Sequence, residues 1–318
     1  MIHINKAVSM ICLFLLGVLF FPAASQSLAT QPDSDEEFFT LKNGLNMREF
    51  GGSEVRNLLN RQHGQGVTFG KTQQKHYLRL KDSEKQIQWT LSNLQTGKVL
   101  SRSENADEVF FGASASKIFV AATLLNKQHG KLRKDQLKLM ARMIVRSNNP
   151  AWKELQRQAG VDGTDDSGRE AVDTFSHEMG YTNLRCFQGW LKNDDGSKTH
   201  GNELNCTDVN RFLYDTFHGK YEGAEILWKI MHATRTGKKK INKYTPKDIY
   251  IAGKTGTYHG PNESPETIQL KTLKARNHVV MLNINGNYYG LSIFCNTGRD
   301  EDVAILGGGL IREYLGVK

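Results

Sequence analysis

Phe110-Phe111-Gly112-Ala113-Ser114-Ala115-Ser116-Lys117-Ile118-Phe119-Val120 sets a small, hydroxyl-rich turn directly before the apolar run Ile118 to Leu125, which reads as a buried helix. Residues three apart share a helix face, so Ser114 and Lys117 are expected side by side at its first turn. A serine hydroxyl is a weak nucleophile until a neighbouring base takes its proton. A lysine amine is such a base when burial and nearby cations lower its pKa enough to leave it neutral. The positive end of the helix dipole favours an alkoxide or oxyanion at the same place. The same spelling also fits a Ser N-cap beside an exposed Lys, so the surroundings have to decide.

Upstream, Ile87, Trp89 and Leu91 alternate as in a strand, and Gln95-Thr96-Gly97-Lys98 turns the chain into Val99 and Leu100. This hairpin leads to the serine turn. Downstream the chain is helical. Leu137 to Val145 carries Leu139, Met140, Met143 and Ile144 at helical spacing. Asn149-Pro150 reads as an N-cap followed by an N1 proline, and Ala171, Phe175 and Met179 form a stripe stopped by Gly180. Tyr181 to Asn205 is expected to be a long loop without periodicity. Thr207-Asp208 is expected to cap a helix, and Ile226 to Met231 forms another. Strands then return at Ile249-Tyr250-Ile251, His278 to Ile284 and Tyr289 to Phe294, with Asn285-Gly286 as a hairpin signal between the last two. Val303 to Leu315 closes the chain as a helix despite Gly307-Gly308-Gly309. There are no internal repeats.

Strands at both ends with helices between predict an α+β fold whose terminal segments share one sheet, with a helical domain inserted. The expected divisions are a signal peptide over 1–25, a linker over 26–45, a discontinuous α/β domain over 46–113 and 246–318, and a helical domain over 114–245. Ser114 then falls at the seam between domains, where pockets form.

The first segment carries Lys6, an apolar run from Ala7 to Phe21 and the small residues Pro22-Ala23-Ala24-Ser25. It reads as a cleaved export signal, with an uncleaved anchor as the alternative, so the mature protein is expected in the periplasm or outside the cell. No other segment is apolar enough to span a bilayer, and no stable span is expected after processing. The stretch to Thr40 is acidic and polar, with Asp33, Asp35, Glu36 and Glu37. Val55 to Asn60 reads as a short helix. Cys186, Cys206 and Cys295 remain beyond the signal, and an odd number is no disulfide framework. Cys186 and Cys206 flank one loop and either pair or stay as buried thiols. No His or Cys spacing fits a metal, and no cofactor motif occurs. The net charge of +9 comes from scattered basic residues. Only Lys238-Lys239-Lys240 cluster, and they read as a solvated loop, so nucleic acid is not an expected partner. A monomer acting on a small molecule is expected.

Two further motifs decide the matter. Ser147-Asn148-Asn149 lies in a turn between two helices of the insert, and Lys254-Thr255-Gly256-Thr257 ends a strand after it. With Ser114-x-x-Lys117, in this order, the sequence resembles the serine β-lactamase and penicillin-binding protein superfamily, marked by S-x-x-K, S-D-N and K-T-G. The resemblance runs from about Gln86 to Leu315. Asn93-Leu94-Gln95-Thr96-Gly97-Lys98 and Arg276-Asn277-His278-Val279-Val280 place it nearest the class A side. It implies a five-stranded antiparallel sheet flanked by terminal helices, beside an all-helical domain.

By the same resemblance Ser114 is the nucleophile, Lys117 its base, and Ser147 a proton relay to the leaving amine. Asn149 meets the substrate's amide side chain. Lys254 and Thr255 meet its carboxylate, with Arg276 assisting. Gly256 permits close approach of the strand. The N–H groups of Ser114 and Thr257 form the oxyanion hole, where loss of one donor costs about 3 kcal/mol.

One expected residue is missing. Class A enzymes carry, in the loop between the insert's helices, a glutamate in an E-x-x-L-N pattern that activates the deacylating water. Leu184-Arg185-Cys186-Phe187-Gln188-Gly189-Trp190-Leu191-Lys192-Asn193-Asp194-Asp195 has no such pattern. Counting back from Thr207 puts Leu191 or Gln188 near its position. Asp194, Asp195 and Glu203 are the carboxylates within reach in sequence. The implied function is a class A-like β-lactamase. The alternatives are a D,D-carboxypeptidase or transpeptidase acting on a peptidoglycan stem peptide, and a β-lactam or peptidoglycan sensor that is acylated without turnover.

Overall fold

The computed structural model describes residues 61–83, 86–193, 195–263 and 270–317. The apolar stretch 7–21, the acidic linker and the helix expected at Val55–Asn60 lie outside the described residues.

The described chain opens with α1 (Lys71–Lys81), which buries Tyr77 and Leu80. β1 (Ile87–Asn93) and β2 (Val99–Arg102) form the expected hairpin. β3 (Phe110–Phe111) leads into a 3₁₀ turn, Ala113–Ser116, and then α2 (Lys117–Lys127). The helical stretch continues with α3 (Lys134–Val145), α4 (Asn149–Ala159) and α5 (Asp165–Glu178).

The cap of α4 is one residue earlier than its sequence suggests. Asn148 is extended and its side chain accepts from the Ala151 N–H at 2.8 Å, so Asn149 is already helical. Pro150 sits in the first turn, where its missing N–H leaves nothing unsatisfied.

Tyr181 to Asn205 is not a structureless loop. It contains the hairpin β4 (Trp190–Lys192) and β5 (Lys198–His200), then β6 (Glu203–Leu204), which pairs with β3. These strands are two or three residues long and largely polar, too short to show any period. The neck of the loop is closed where Arg185 and Glu203 exchange main-chain bonds at 2.9 and 3.0 Å. Their side chains also form an ion pair at 3.0 Å.

α6 (Cys206–Phe217) is capped by Asn205, whose side chain accepts from the Asp208 N–H at 2.7 Å. Thr207 and Asp208 thus lie in its first turn and do not cap it. α7 (Ala224–Met231) and α8 (Ile241–Tyr244) follow. The strands return as β7 (Tyr250–Thr257), β8 (Gly260–Pro261), β9 (Thr272–Leu273), β10 (Arg276–Ile284) and β11 (Asn287–Cys295), and α9 (Asp300–Leu315) ends the chain.

The main sheet is antiparallel in the order β2-β1-β11-β10-β7, so the two ends of the sequence meet where β1 pairs with β11. Asn285 and Gly286 both take positive φ (51° and 79°), as a two-residue hairpin between β10 and β11 requires. One sheet face packs Ile87, Trp89, Leu91 and Ile293 against α1 and α9. The other joins the core of the helices through Val279, Met281 and Phe294.

β1 alternates apolar and polar residues, yet its polar face is buried too, because α6 covers it. Gln88 accepts from the Cys206 N–H at 2.6 Å, and Ser92 donates to the Asn210 side chain. Buried polar groups with partners cost little, so the alternation here marks two different interiors and not a wet face. Gly309 explains how α9 carries three glycines: a Cβ there would lie 2.2 Å from the Tyr77 ring. Helical propensity is given up for close packing of α1 on α9.

Cys186, Cys206 and Cys295 are free, buried thiols, so the Cys186–Cys206 alternative does not form. Among the described residues no helix is long and apolar enough to cross a membrane.

Candidate active site

The site starts with a distorted turn. In a 3₁₀ turn residues i and i+3 eclipse, so Ser114 stands directly over Lys117, the first residue of α2. Ala113 has φ 48°, a left-handed conformation that a non-glycine residue holds only when its neighbours over-determine it. They do. Gly112 N–H donates to Asn202 O at 2.8 Å, and Ser116 Oγ donates to the Asn202 side chain. Asn277 Nδ2 holds the carbonyls of Phe111 and Gly112 at 2.9 and 3.0 Å.

α2 is buried along nearly its whole length, which takes the Lys117 amine out of water. Its Nζ lies 2.8 Å from Ser114 Oγ, 2.8 Å from Ser147 O, 3.3 Å from Ser147 Oγ and 2.7 Å from Asn149 Oδ1. The Trp152 ring, one helical turn beyond Asn149, lies 4.7 Å from it. With no carboxylate among these partners, burial pushes the amine down to about 7. A neutral amine has two N–H donors and one lone pair. The Ser147 carbonyl and the Asn149 amide oxygen accept the two hydrogens, which leaves the lone pair for the Ser114 O–H.

The third element is β7, the edge strand of the main sheet. Lys254 is fully buried, and its Nζ donates to Ser147 Oγ at 2.9 Å and to Thr255 O at 2.7 Å. Burial, then the Lys117 and Lys240 cations, hold it well below the ordinary lysine range. Ser147 Oγ therefore bridges two amines, from a residue held at φ 58°. Thr255 Oγ1 donates to Thr236 Oγ1 at 2.6 Å. The Tyr258 N–H donates to Ala275 O across the ladder, so by antiparallel alternation Thr257 turns its N–H outward, toward the serine turn. All three motifs, distant in sequence, thus meet at one place. Ser114, Asn149 and Thr257 line a cleft of about 370 Å³ with Phe111, Trp152, Gln188, Trp190 and His200, a volume suited to a small molecule.

The sequence over residues 135–307 matches the profile of the beta-lactamase enzyme family. The chain belongs to that family. The matched stretch holds Ser147, Asn149 and Lys254 to Thr257 but begins after Ser114 and Lys117, which the geometry above adds to the same cleft. The fold is similar to a solved β-lactamase from Streptosporangium roseum (19% identity, 78% of this chain and 99% of that one, TM-score 0.58). It is similar to one from Xanthomonas campestris (15%, 79% and 100%, TM-score 0.59). A representative class A β-lactamase from Bacteroides cellulosilyticus is also similar (18%, 77% and 98%, TM-score 0.54). No curated protein matches the sequence.

In this β-lactamase-family protein several expected and unexpected residues take particular places. Arg276 is not among the residues lining the cleft. Its Nη1 donates to the carbonyls of Tyr258 and Ala275 at 3.0 and 2.8 Å, and its Nε lies 3.6 Å from Asp300. Lys240 is not a solvated loop cation. It is 2% exposed, and its Nζ donates to Gly256 O, Thr257 Oγ1 and Asn277 O at 2.9, 3.1 and 3.0 Å. Burial pushes it down to about 8 against the opposing pull of Asp300. It ties β7 to β10 behind the cleft, and nothing in a run of three lysines marks one of them for the interior. Trp152 and Asn277 were legible only as a helical apolar position and a strand residue.

In the loop, Gln188 lines the cleft where a glutamate was expected, and Asp194 lies outside the described residues. Asp195 is exposed and accepts from the Ser197 N–H. Glu203 is turned to Arg185.

Gly256 meets the serine turn itself. A Cβ there would sit 2.4 Å from Gly112 O and 3.1 Å from Ala115 N. Gly256→Val is expected to force β7 off the turn, with a stability loss of about 1–3 kcal/mol by denaturant titration and a larger proportional loss of activity. Unchanged stability and activity would mean that the contact yields freely.

Proposed function

We propose that the protein is an exported serine hydrolase that opens β-lactams through an acyl-Ser114 ester. The Ser114 hydroxyl lies 2.8 Å from an amine whose two hydrogens are taken up by Ser147 and Asn149, which leaves its lone pair to serve as the base. Lys117 takes the Ser114 proton as Oγ attacks the lactam carbonyl. The oxyanion is received by the N–H groups of Ser114 and Thr257. Ser147, bridging Lys117 and Lys254, passes the proton to the departing lactam nitrogen. The Lys254 amine and the hydroxyls of Thr255 and Thr236 offer hydrogen bonds to a substrate carboxylate. Asn149 and Gln188 offer amides to the substrate's amide side chain.

Export rests on the apolar run 7–21 and the small residues that follow. It is tested by the intact mass of protein recovered from the cell envelope, which should begin near residue 26.

Gln188 favours a second reading, a D,D-carboxypeptidase, since an amide in the loop cannot take a proton from water. Steady-state turnover of a chromogenic cephalosporin, measured beside D-alanine release from an acyl-D-alanyl-D-alanine peptide, separates them. Cephalosporin turnover without peptide cleavage supports the β-lactamase. The reverse supports the peptidase, and inertness toward both contradicts the acyl-enzyme.

A further inference from the structure

We infer that His200 is the general base that clears the acyl-Ser114 ester, with Glu203 as its positioning residue. This rests on the acyl-enzyme reading above and supplies the step that the loop's missing glutamate leaves open.

Besides Lys117, already committed to Ser114, the described cleft presents an imidazole, His200, and a carboxylate, Glu263, as candidate bases. Glu263 is exposed at the rim, whereas His200 is 8% exposed and held in place. Its ring stacks on Phe111 (6.2 Å, 28°) and meets its cross-strand partner Trp190 edge-on (4.7 Å, 71°). Nδ1 is buried without a hydrogen-bond partner among the described residues, and Glu203 Oε1 lies 3.9 Å from it. Glu203 is itself fixed by Arg185 and by the pairing of β6 with β3, the strand that runs into the serine turn. One small sheet therefore carries both the carboxylate and the lead-in to the nucleophile.

A carboxylate facing Nδ1 favours the tautomer protonated there and leaves the Nε2 lone pair for the cleft. The charged groups around the ring divide. Glu203 and Glu263 favour the imidazolium, while burial, the largest effect, and Arg185 oppose it. The outcome lies below the ordinary value of 6.5, so the ring is neutral at pH 7 and free to accept.

In the step assigned to it, Nε2 takes one proton from a water molecule as the water oxygen bonds to the ester carbonyl carbon. The tetrahedral intermediate collapses by breaking the bond to Ser114 Oγ. Oγ recovers that proton from the imidazolium, and the product leaves as a carboxylic acid. Water and ester become acid and alcohol, with no other reactant.

The test is the time course of the acyl adduct by intact mass, using a chromogenic cephalosporin with the wild type, His200→Gln and His200→Ala. A positioned general base contributes about 10²–10⁴-fold, so deacylation of both variants is expected to slow by at least ~100-fold while acylation stays within about threefold. Added imidazole should partly restore turnover of His200→Ala. Wild-type deacylation should fall with pH below 6.5, a limb absent from His200→Gln and moved lower still in Glu203→Gln.

Wild-type clearance in His200→Gln would overturn the assignment, and so would equal loss of acylation and deacylation. A wild-type adduct lasting hours would overturn it and leave acylation standing. No wild-type adduct at all would overturn both this and the acyl-enzyme.

Discussion

Ser114→Ala protein is expected to neither turn over a β-lactam nor retain one covalently. Removing a nucleophile that acts as a unit with its base forfeits nearly the whole chemical contribution of the pair, on the order of 10⁴-fold or more in kcat. The rest of the site should survive the change. The turn is held through the carbonyls of Phe111 and Gly112 and the Gly112 N–H, and not through the Ser114 hydroxyl. Alanine is as compatible as serine with the 3₁₀ turn. The variant should thus unfold at the wild-type temperature and still bind the substrate reversibly. Residual turnover within about tenfold of wild type would place the chemistry on another residue.

Lys117 gives the second large effect, with a pH signature of its own. Its amine is reactive when neutral and titrates at about 7. Acylation by the wild type should therefore rise as pH passes upward through about 7 and then level off. Lys117→Met is expected to lower the acylation rate by about 10²–10⁴-fold and to remove that limb. Stopped-flow acylation at several pH values measures both. A variant that keeps the limb would assign the titration to another group. Met also leaves Ser147 O and Asn149 Oδ1 without their donor, so some stability loss is expected alongside.

The parts of this molecule legible in the sequence are those written in local patterns. Ser114 and Lys117 need only helical spacing, the Asn285-Gly286 turn needs only its backbone preference, and the shared sheet follows from strands at both ends. What escaped depends on partners far away. Lys240 is interior because strand carbonyls from Gly256 and Asn277 receive it, and its neighbours Lys238 and Lys239 remain exposed. His200 faces the cleft because a hairpin of three-residue strands folds the 181–205 segment back on itself, and strands that short leave no periodic trace. The caps shifted for a related reason. Asn148 and Asn149 are chemically equal candidates, and the turn geometry at Ser147 decides which one caps and which one reaches Lys117. Arg276 was assigned by likeness of motif, while the local carbonyls that hold its guanidinium are set by where β7 ends.

A single serine, served by the Lys117 amine of its own turn and the Lys254 amine from β7, forms the bond to substrate. Tandem mass spectrometry of peptides from protein quenched shortly after mixing with a chromogenic cephalosporin tests it most directly. One adduct is expected, on Ser114. An adduct on any other residue, or ring opening with Ser114 unmodified at every time point, would contradict it.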